Sequence, residues 1–189
     1  MTNYFKNKID KDYANKPGTK IRWEKTLEFM GSRKNIKSAL DIGDRTDLTE
    51  MMEDKYGVKF DNTQGDLDKI ELKGNYDLVT SFEVLEHLFN PLFNLVQIKN
   101  ILNPNGRLIL STPMAKPRIL WSEEHFHEMS KNSIQALFEA AGLKVLRENY
   151  FRVYPVTFYF KGIRPLLRLI YDKIQIYELV PFSSSIITC

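Results

Sequence analysis

Residues 76–113 read YDLVTSFEVLEHLFNPLFNLVQIKNILNPNGRLILSTP. The run opens on Tyr76 to Ser81, an apolar and partly β-branched stretch of strand length. Pro91 suits the first turn of a helix. Leu92, Leu95, Val96, Ile98 and Leu102 follow at helical spacing, which predicts a helix over 91–102 with those side chains turned inward. Asn103-Pro104-Asn105-Gly106 reads as a turn and Arg107 to Ser111 as a second apolar strand. A helix of that length is a crossover and not a hairpin, so the two strands run parallel.

The same alternation extends in both directions. Upstream, Thr19 caps a helix that carries Ile21, Trp23, Leu27 and Met30 and stops at Gly31. A strand over 36–43 ends in Asp41 and Gly43. A helix over 48–56 stops at Gly57, and residues 58–60 form a second strand. Downstream, a helix over 130–141 has Ser130 as its cap and Gly142 as its stop, and residues 143–148 are a further strand. Strand and helix in alternation define an α/β fold of three layers, with a mostly parallel sheet between helices. Residues 1–18 are a polar N-terminal arm, 19–152 one domain, and 153–189 a C-terminal amphipathic extension packed on or beside it. In that extension Arg164, Arg168 and Lys173 alternate with Leu166, Leu167, Ile170, Tyr171 and Ile174, the pattern of a basic amphipathic helix. It suits packing on its own domain, a second copy, or peripheral membrane contact through 161–178.

Composition narrows the function classes. The chain has 189 residues, 43% hydrophobic and 27% charged, with a net charge of +3, enough for one core and too mild for a nucleic-acid protein without a basic stripe. Cys189 is the only cysteine, which excludes a disulfide framework or a cysteine zinc site and fits a reducing, cytoplasmic setting. The opening MTNYFKNKIDKDYANK has no apolar core and is not a signal peptide, and no apolar run is long enough to span a bilayer.

In an open parallel sheet, ligands bind beyond the carboxyl ends of the strands. There Gly43-Asp44-Arg45-Thr46-Asp47 leads from strand into helix. A glycine permits close backbone approach, and the helix start offers free N–H groups. A dinucleotide is disfavoured, because no Gly-x-Gly-x-x-Gly is present and a pyrophosphate would meet Asp44 and Asp47.

ALDIG at 39–43, GDLD at 65–68, YDLVTSFEVLEHLFNP at 76–91, ILNPNGRLILSTP at 101–113 and HFHEMSKNSIQALFEAAGLKV at 125–145 together resemble class I S-adenosylmethionine-dependent methyltransferases. The likeness is greatest to the small-molecule branch that includes ubiquinone-biosynthesis-like enzymes. It implies a Rossmann-like methyltransferase fold, S-adenosylmethionine as cofactor, and a small-molecule acceptor that is lipid- or sugar-linked. It further implies that Asp41 and Gly43 line the methionine end of the cofactor, Asp61 meets the ribose, Asp66 and Leu67 the adenine, and that Phe82 and Glu83 form a wall. Two departures stand out. Arg45 and Asp47 replace the second and third glycines of the family loop, and Arg45 is placed to pair with the cofactor carboxylate or with Asp41, Asp44 or Asp47. The interval from Phe60 to Asp66 is too short for a crossover, so the sheet edge after the second strand is shortened, and residues 62–65 could turn an antiparallel edge. A protein so altered could also be a binding or scaffold module on the same fold.

Glu83, Glu86 and His87 stand at i, i+3 and i+4, one face of a helical turn. With His125 or His127 they are candidate ligands of a divalent metal, against the plainer reading of loop hydrogen bonds and no metal. His125 and His127 are also the candidates for a general base on an acceptor, with Trp121, Phe126 and Met129 as pocket wall or lid.

Overall fold

A computed structural model describes residues 17–154, 158, 160, 162 and 169–182. Helix α1 (Pro17–Met30) precedes β1 (Ala39–Asp41), α2 (Asp47–Tyr56), β2 (Phe60–Asn62), β3 (Tyr76–Phe82), α3 (Pro91–Asn100), β4 (Leu102–Pro113), α4 (Lys131–Ala140), β5 (Leu143–Phe151) and β6 (Ile174–Pro181). The strands form one six-stranded sheet in the order β2-β1-β3-β4-β6-β5. β2, β1, β3 and β4 are mutually parallel, and β6 runs antiparallel to both of its neighbours.

Alternation along each strand feeds two cores. Leu40, Val79, Leu108, Leu110, Tyr177 and Leu179 meet Leu95, Ile98, Ile134 and Phe138 of α3 and α4. Ala39, Leu78, Ile109 and Ile176 meet Trp23, Phe29, Leu48 and Met52 of α1 and α2 on the opposite face. The expected helix stops hold: Gly31, Gly57 and Gly142 have φ of 65°, 65° and 73°, the left-handed cap that glycine adopts without strain. Ser130 caps α4 by accepting from the Ser133 amide.

Several expectations are corrected. Helix α1 starts at Pro17, with Thr19 buried inside it and not at its cap, because proline fits the first turn. Helix α3 ends at Asn100, and Leu102 belongs to β4. Residues 103–106 bulge between the Tyr76–Leu102 and Leu78–Arg107 pairs. Leu92 is exposed and Asn94 takes the buried position. The edge after β2 does lack a crossover helix and strand among the described residues, yet β2 is parallel to β1, so residues 62–65 do not turn an antiparallel edge.

The largest correction concerns the C-terminal stretch. Its second part is β6, a strand with both faces covered, paired between β4 and β5. Glu178, buried in that strand, holds Arg33 at 2.8 Å, Arg147 at 2.6 Å and Arg107 at 3.6 Å, which compensates a carboxylate inside the sheet. The basic stripe through Arg164 and Arg168, and nearly all of the N-terminal arm, lie outside the described residues.

Candidate active site

The carboxyl ends of β1, β3 and β4 converge. Asp41 closes β1 with its side chain on the α2 face. Thr80 Oγ1 donates to its Oδ1 at 2.6 Å and Thr49 Oγ1 to its Oδ2 at 2.7 Å. Burial pushes its pKa from an ordinary 3.8 up to about 6, against the opposing pull of those two hydroxyls and Arg45. The neutral acid is therefore favoured by folding. Its stabilisation is full below pH 3.8 and is lost as pH rises through about 6. Asp41→Asn stays neutral throughout, so its stability relative to wild type should improve by about 2 kcal/mol between pH 4.5 and 7.5. Urea unfolding of both proteins at the two pH values checks this; a difference that does not change with pH contradicts it.

Gly43 follows at φ 112°, a conformation open to glycine and strained for other residues. A Cβ built there would meet only Val84 Cγ2, at 4.0 Å. Thr63 Oγ1 accepts from the Gly43 amide at 2.7 Å, and Asn62 Nδ2 reaches the Asp41 and Gly43 carbonyls at 3.4 Å, so the chain after β2 braces the loop. The sequence marks Asn62 and Thr63 only as part of an edge turn, with no role at this loop. Arg45 pairs with none of Asp41, Asp44 and Asp47. Its guanidinium forks onto Glu53 of α2 at 3.0 and 2.8 Å. Glu53, also bonded to Lys59 and to the Phe60 amide, is held far below the usual carboxylate range by Arg45 first and these partners next. Asp47 lies in the first turn of α2, where a negative charge suits the helix start. Arg45 thus turns to α2, and Asp47 lies within it.

The other expected cofactor residues are more dispersed. Asp61 accepts from the Tyr76 hydroxyl at 2.9 Å, beside a cleft of about 660 Å3 that also includes Leu40, Asn62, Thr63 and Ile70. Asp66 pairs with Lys69 at 2.6 Å, which lowers its pKa, and Leu67 packs against the core. Asp68, not foreseen, accepts from the Phe89 and Asn90 amides and so ties this turn to the start of α3.

Phe82 and Glu83 end β3. Only residues 85–87 are helical, as a 3-10 turn, and Glu83 has φ 55°. The shared face expected for Glu83, Glu86 and His87 therefore fails. Glu83 turns to the α1 side, where Ser111 Oγ donates to it at 2.9 Å and Arg22 at 3.1 Å. Glu86 goes the other way and is fully buried. Thr112 Oγ1 donates to its Oε2 at 3.0 Å, while its Oε1 has no partner. Burial first, and the nearby Glu83 charge second, raise the Glu86 pKa well above the usual value.

The long loop after β4 folds over this end of the sheet. Phe126 and His127 amides donate to the Glu86 carbonyl at 2.8 and 3.2 Å. His87 and His125 rings lie 4.9 Å apart. His125 Nδ1 is 2.9 Å from Glu128 Oε1, whereas His127 Nε2 is buried without a partner. Trp121 Nε1 donates to the Lys116 carbonyl, Met129 packs on the core, and Phe126 is exposed against Phe89 at 4.5 Å.

Comparison with known proteins agrees with this arrangement. Residues 22–148 match the family described as methyltransferase domain. Among solved structures, a chain of the complex between the Haloferax volcanii Trm112 methyltransferase activator and a methyltransferase is 16% identical. It superposes with a TM-score of 0.67 over 84% of this chain and 88% of its own. The N-methyltransferase NodS from Bradyrhizobium japonicum, in complex with S-adenosyl-L-homocysteine, is 14% identical, with a TM-score of 0.66 over 93% and 94%. The [4+2]-cyclase SpnF, 11% identical, has a TM-score of 0.63 over 85% and 82%, so this fold also hosts another reaction. None of the curated proteins compared with the chain matches it. The chain belongs to the methyltransferase domain family and is an S-adenosylmethionine-dependent methyltransferase. The cofactor fits the residues present, since a Cβ at Gly43 would meet only Val84 within 4 Å and Arg45 is drawn away to Glu53. No helix among the described residues is long and apolar enough to cross a membrane.

Proposed function

We propose that this methyltransferase acts on a small-molecule acceptor with a lipid- or sugar-linked body. The observation that carries the reading is the exposed Phe89–Phe126 pair, 60% and 40% accessible, beside the histidines of the loop after β4. Aromatic rings that stay partly exposed beside these histidines favour an apolar or ring-bearing ligand. Asp41 and Gly43 hold the amino-acid end of the cofactor, Asp61 the ribose, Asp66 and Leu67 the adenine, and Phe82 with Glu83 closes the wall.

The bound cofactor supplies a methyl group already activated by its sulfonium. The protein's own tasks are then alignment, exclusion of water and removal of one proton. The loop after β4, tied to the Glu86 carbonyl, covers the acceptor, and His125 or His127 takes its proton. Incubation with methyl-labelled cofactor and fractionated extract should place label in the organic-soluble or small-glycoside fraction. Label confined to protein or RNA would overturn this assignment.

A further inference from the structure

We propose that Tyr76 is a positioning residue for the cofactor ribose and acts through Asp61. Its hydroxyl holds one oxygen of that carboxylate and leaves the other to accept from a ribose hydroxyl. The inference rests on the assignment of Asp61 to the ribose made above. The two residues come from different strands, β2 and β3, and both line the cleft at the sheet edge.

Asp61 needs such a partner because of where it stands. β2 is three residues long and forms the edge of the sheet, so among the described residues no strand pairs with its outer side. The next two residues are held by the glycine loop, Asn62 through the Asp41 and Gly43 carbonyls and Thr63 through the Gly43 amide. Asp61 itself is exposed. An exposed carboxylate on a short strand samples several rotamers, and a ligand that needs one of them must bear the cost of selecting it. Among the described residues its one hydrogen-bond donor is the Tyr76 hydroxyl, 2.9 Å from Oδ2, and Oδ1 accepts from no protein group.

Tyr76 is built to stay in place. It opens β3, and its amide donates to the Ile101 carbonyl at 2.8 Å. Its ring packs against the core on the α3 and α4 face, as do Leu67 and Ile70. Burial first, and the bond to Asp61 second, hold the hydroxyl above the usual phenol range, so it keeps its proton and donates. Gly74, at φ 111°, makes room for the far end of the ring: a Cβ there would lie 2.7 Å from Tyr76 Cε2 and 2.9 Å from its oxygen. Phenylalanine would fill the same space and pack on the same core. What tyrosine adds is the hydroxyl, and the hydroxyl goes to Asp61.

The test is calorimetric titration of the intact chain with S-adenosylhomocysteine and with its 2′-deoxy and 3′-deoxy analogues. Tyr76→Phe should weaken S-adenosylhomocysteine by about 5- to 10-fold. For at least one deoxy analogue the same substitution should cost no more than about twofold, because the hydroxyl that Asp61 serves is gone. Gly74→Ala, which displaces the ring, should weaken S-adenosylhomocysteine by a similar factor, and the double variant should bind little worse than either single one. Thermal melting confirms that each variant is folded, and Tyr76→Phe, which keeps the ring, decides the matter if Gly74→Ala is not. Asp61→Ala tests the ribose assignment separately. Unchanged affinity there removes that assignment and this proposal with it. A loss in Asp61→Ala beside unchanged affinity in Tyr76→Phe leaves the assignment standing and overturns the role of Tyr76. Equal losses for all three ligands in Tyr76→Phe would mark the bond as a tie between strands and overturn it as well.

Discussion

Ending the chain after Lys173 should abolish the folded state. That cut removes β6, and with it both pairings that join β4 to β5. Ile176, Tyr177 and Leu179 are fully buried and Ile174 nearly so, distributed over both cores. Each such side chain contributes about 1.5–3 kcal/mol, so the four together rival the roughly 5–15 kcal/mol that holds a whole domain. Glu178 leaves as well, and Arg33, Arg107 and Arg147 lose their shared carboxylate. The two strands left behind would present unpaired edges that invite aggregation. Expression should give insoluble protein, or a species without a cooperative thermal transition. A soluble truncated chain with wild-type near-ultraviolet circular dichroism would contradict the sheet order described above.

Replacing Gly43 with valine should remove cofactor binding while the sheet survives. At φ 112° a β-branched residue costs about 1–3 kcal/mol, and the cheapest relief is rotation of the loop. Rotation breaks the bond from the Gly43 amide to Thr63 and moves the backbone away from the end of β1. Affinity for S-adenosylhomocysteine should fall by about 100-fold or more, equivalent to roughly 3 kcal/mol. The melting temperature should fall by only a few degrees. Calorimetry and thermal melting of the same samples separate the two effects. Binding within about threefold of wild type would mean that the cofactor does not sit on this loop.

The parts of the fold readable from sequence were those set by local chemistry. Glycine stops, the Ser130 cap and the short apolar runs of β1, β3 and β4 need no distant partner to be recognised. β6 was not readable in this way. IQIYELVP at 174–181 follows a basic aromatic stretch, and its Glu178 breaks the apolar run. The charge is accommodated only because Arg33 and Arg147, far away in sequence, reach it. Burial tends to raise the Glu178 pKa, yet those two guanidinium groups outweigh it and hold the carboxyl below its usual range.

The site divides along the same line. Asp41 and Gly43 stand at the strand end where the ALDIG motif implied them. Arg45 finds Glu53 eight residues on, across a helix turn that the loop sequence alone does not encode. The reading of Glu83 with Glu86 and His87 assumed an α-helix. With left-handed backbone at Glu83, its carboxylate goes to Ser111 and Arg22 while that of Glu86 goes to Thr112, near His87 and His125. Asn62 and Thr63 brace the glycine loop from the strand edge that lost its crossover, a role visible only once β2 is paired with β1.

The most direct test of the account is a calorimetric titration of the intact chain with S-adenosylhomocysteine. A glycine loop unobstructed by Arg45 and Asp47 predicts saturable one-to-one binding, in roughly the micromolar range. A flat titration at millimolar ligand, from protein that melts cooperatively, would show that these two residues have closed the seat after all.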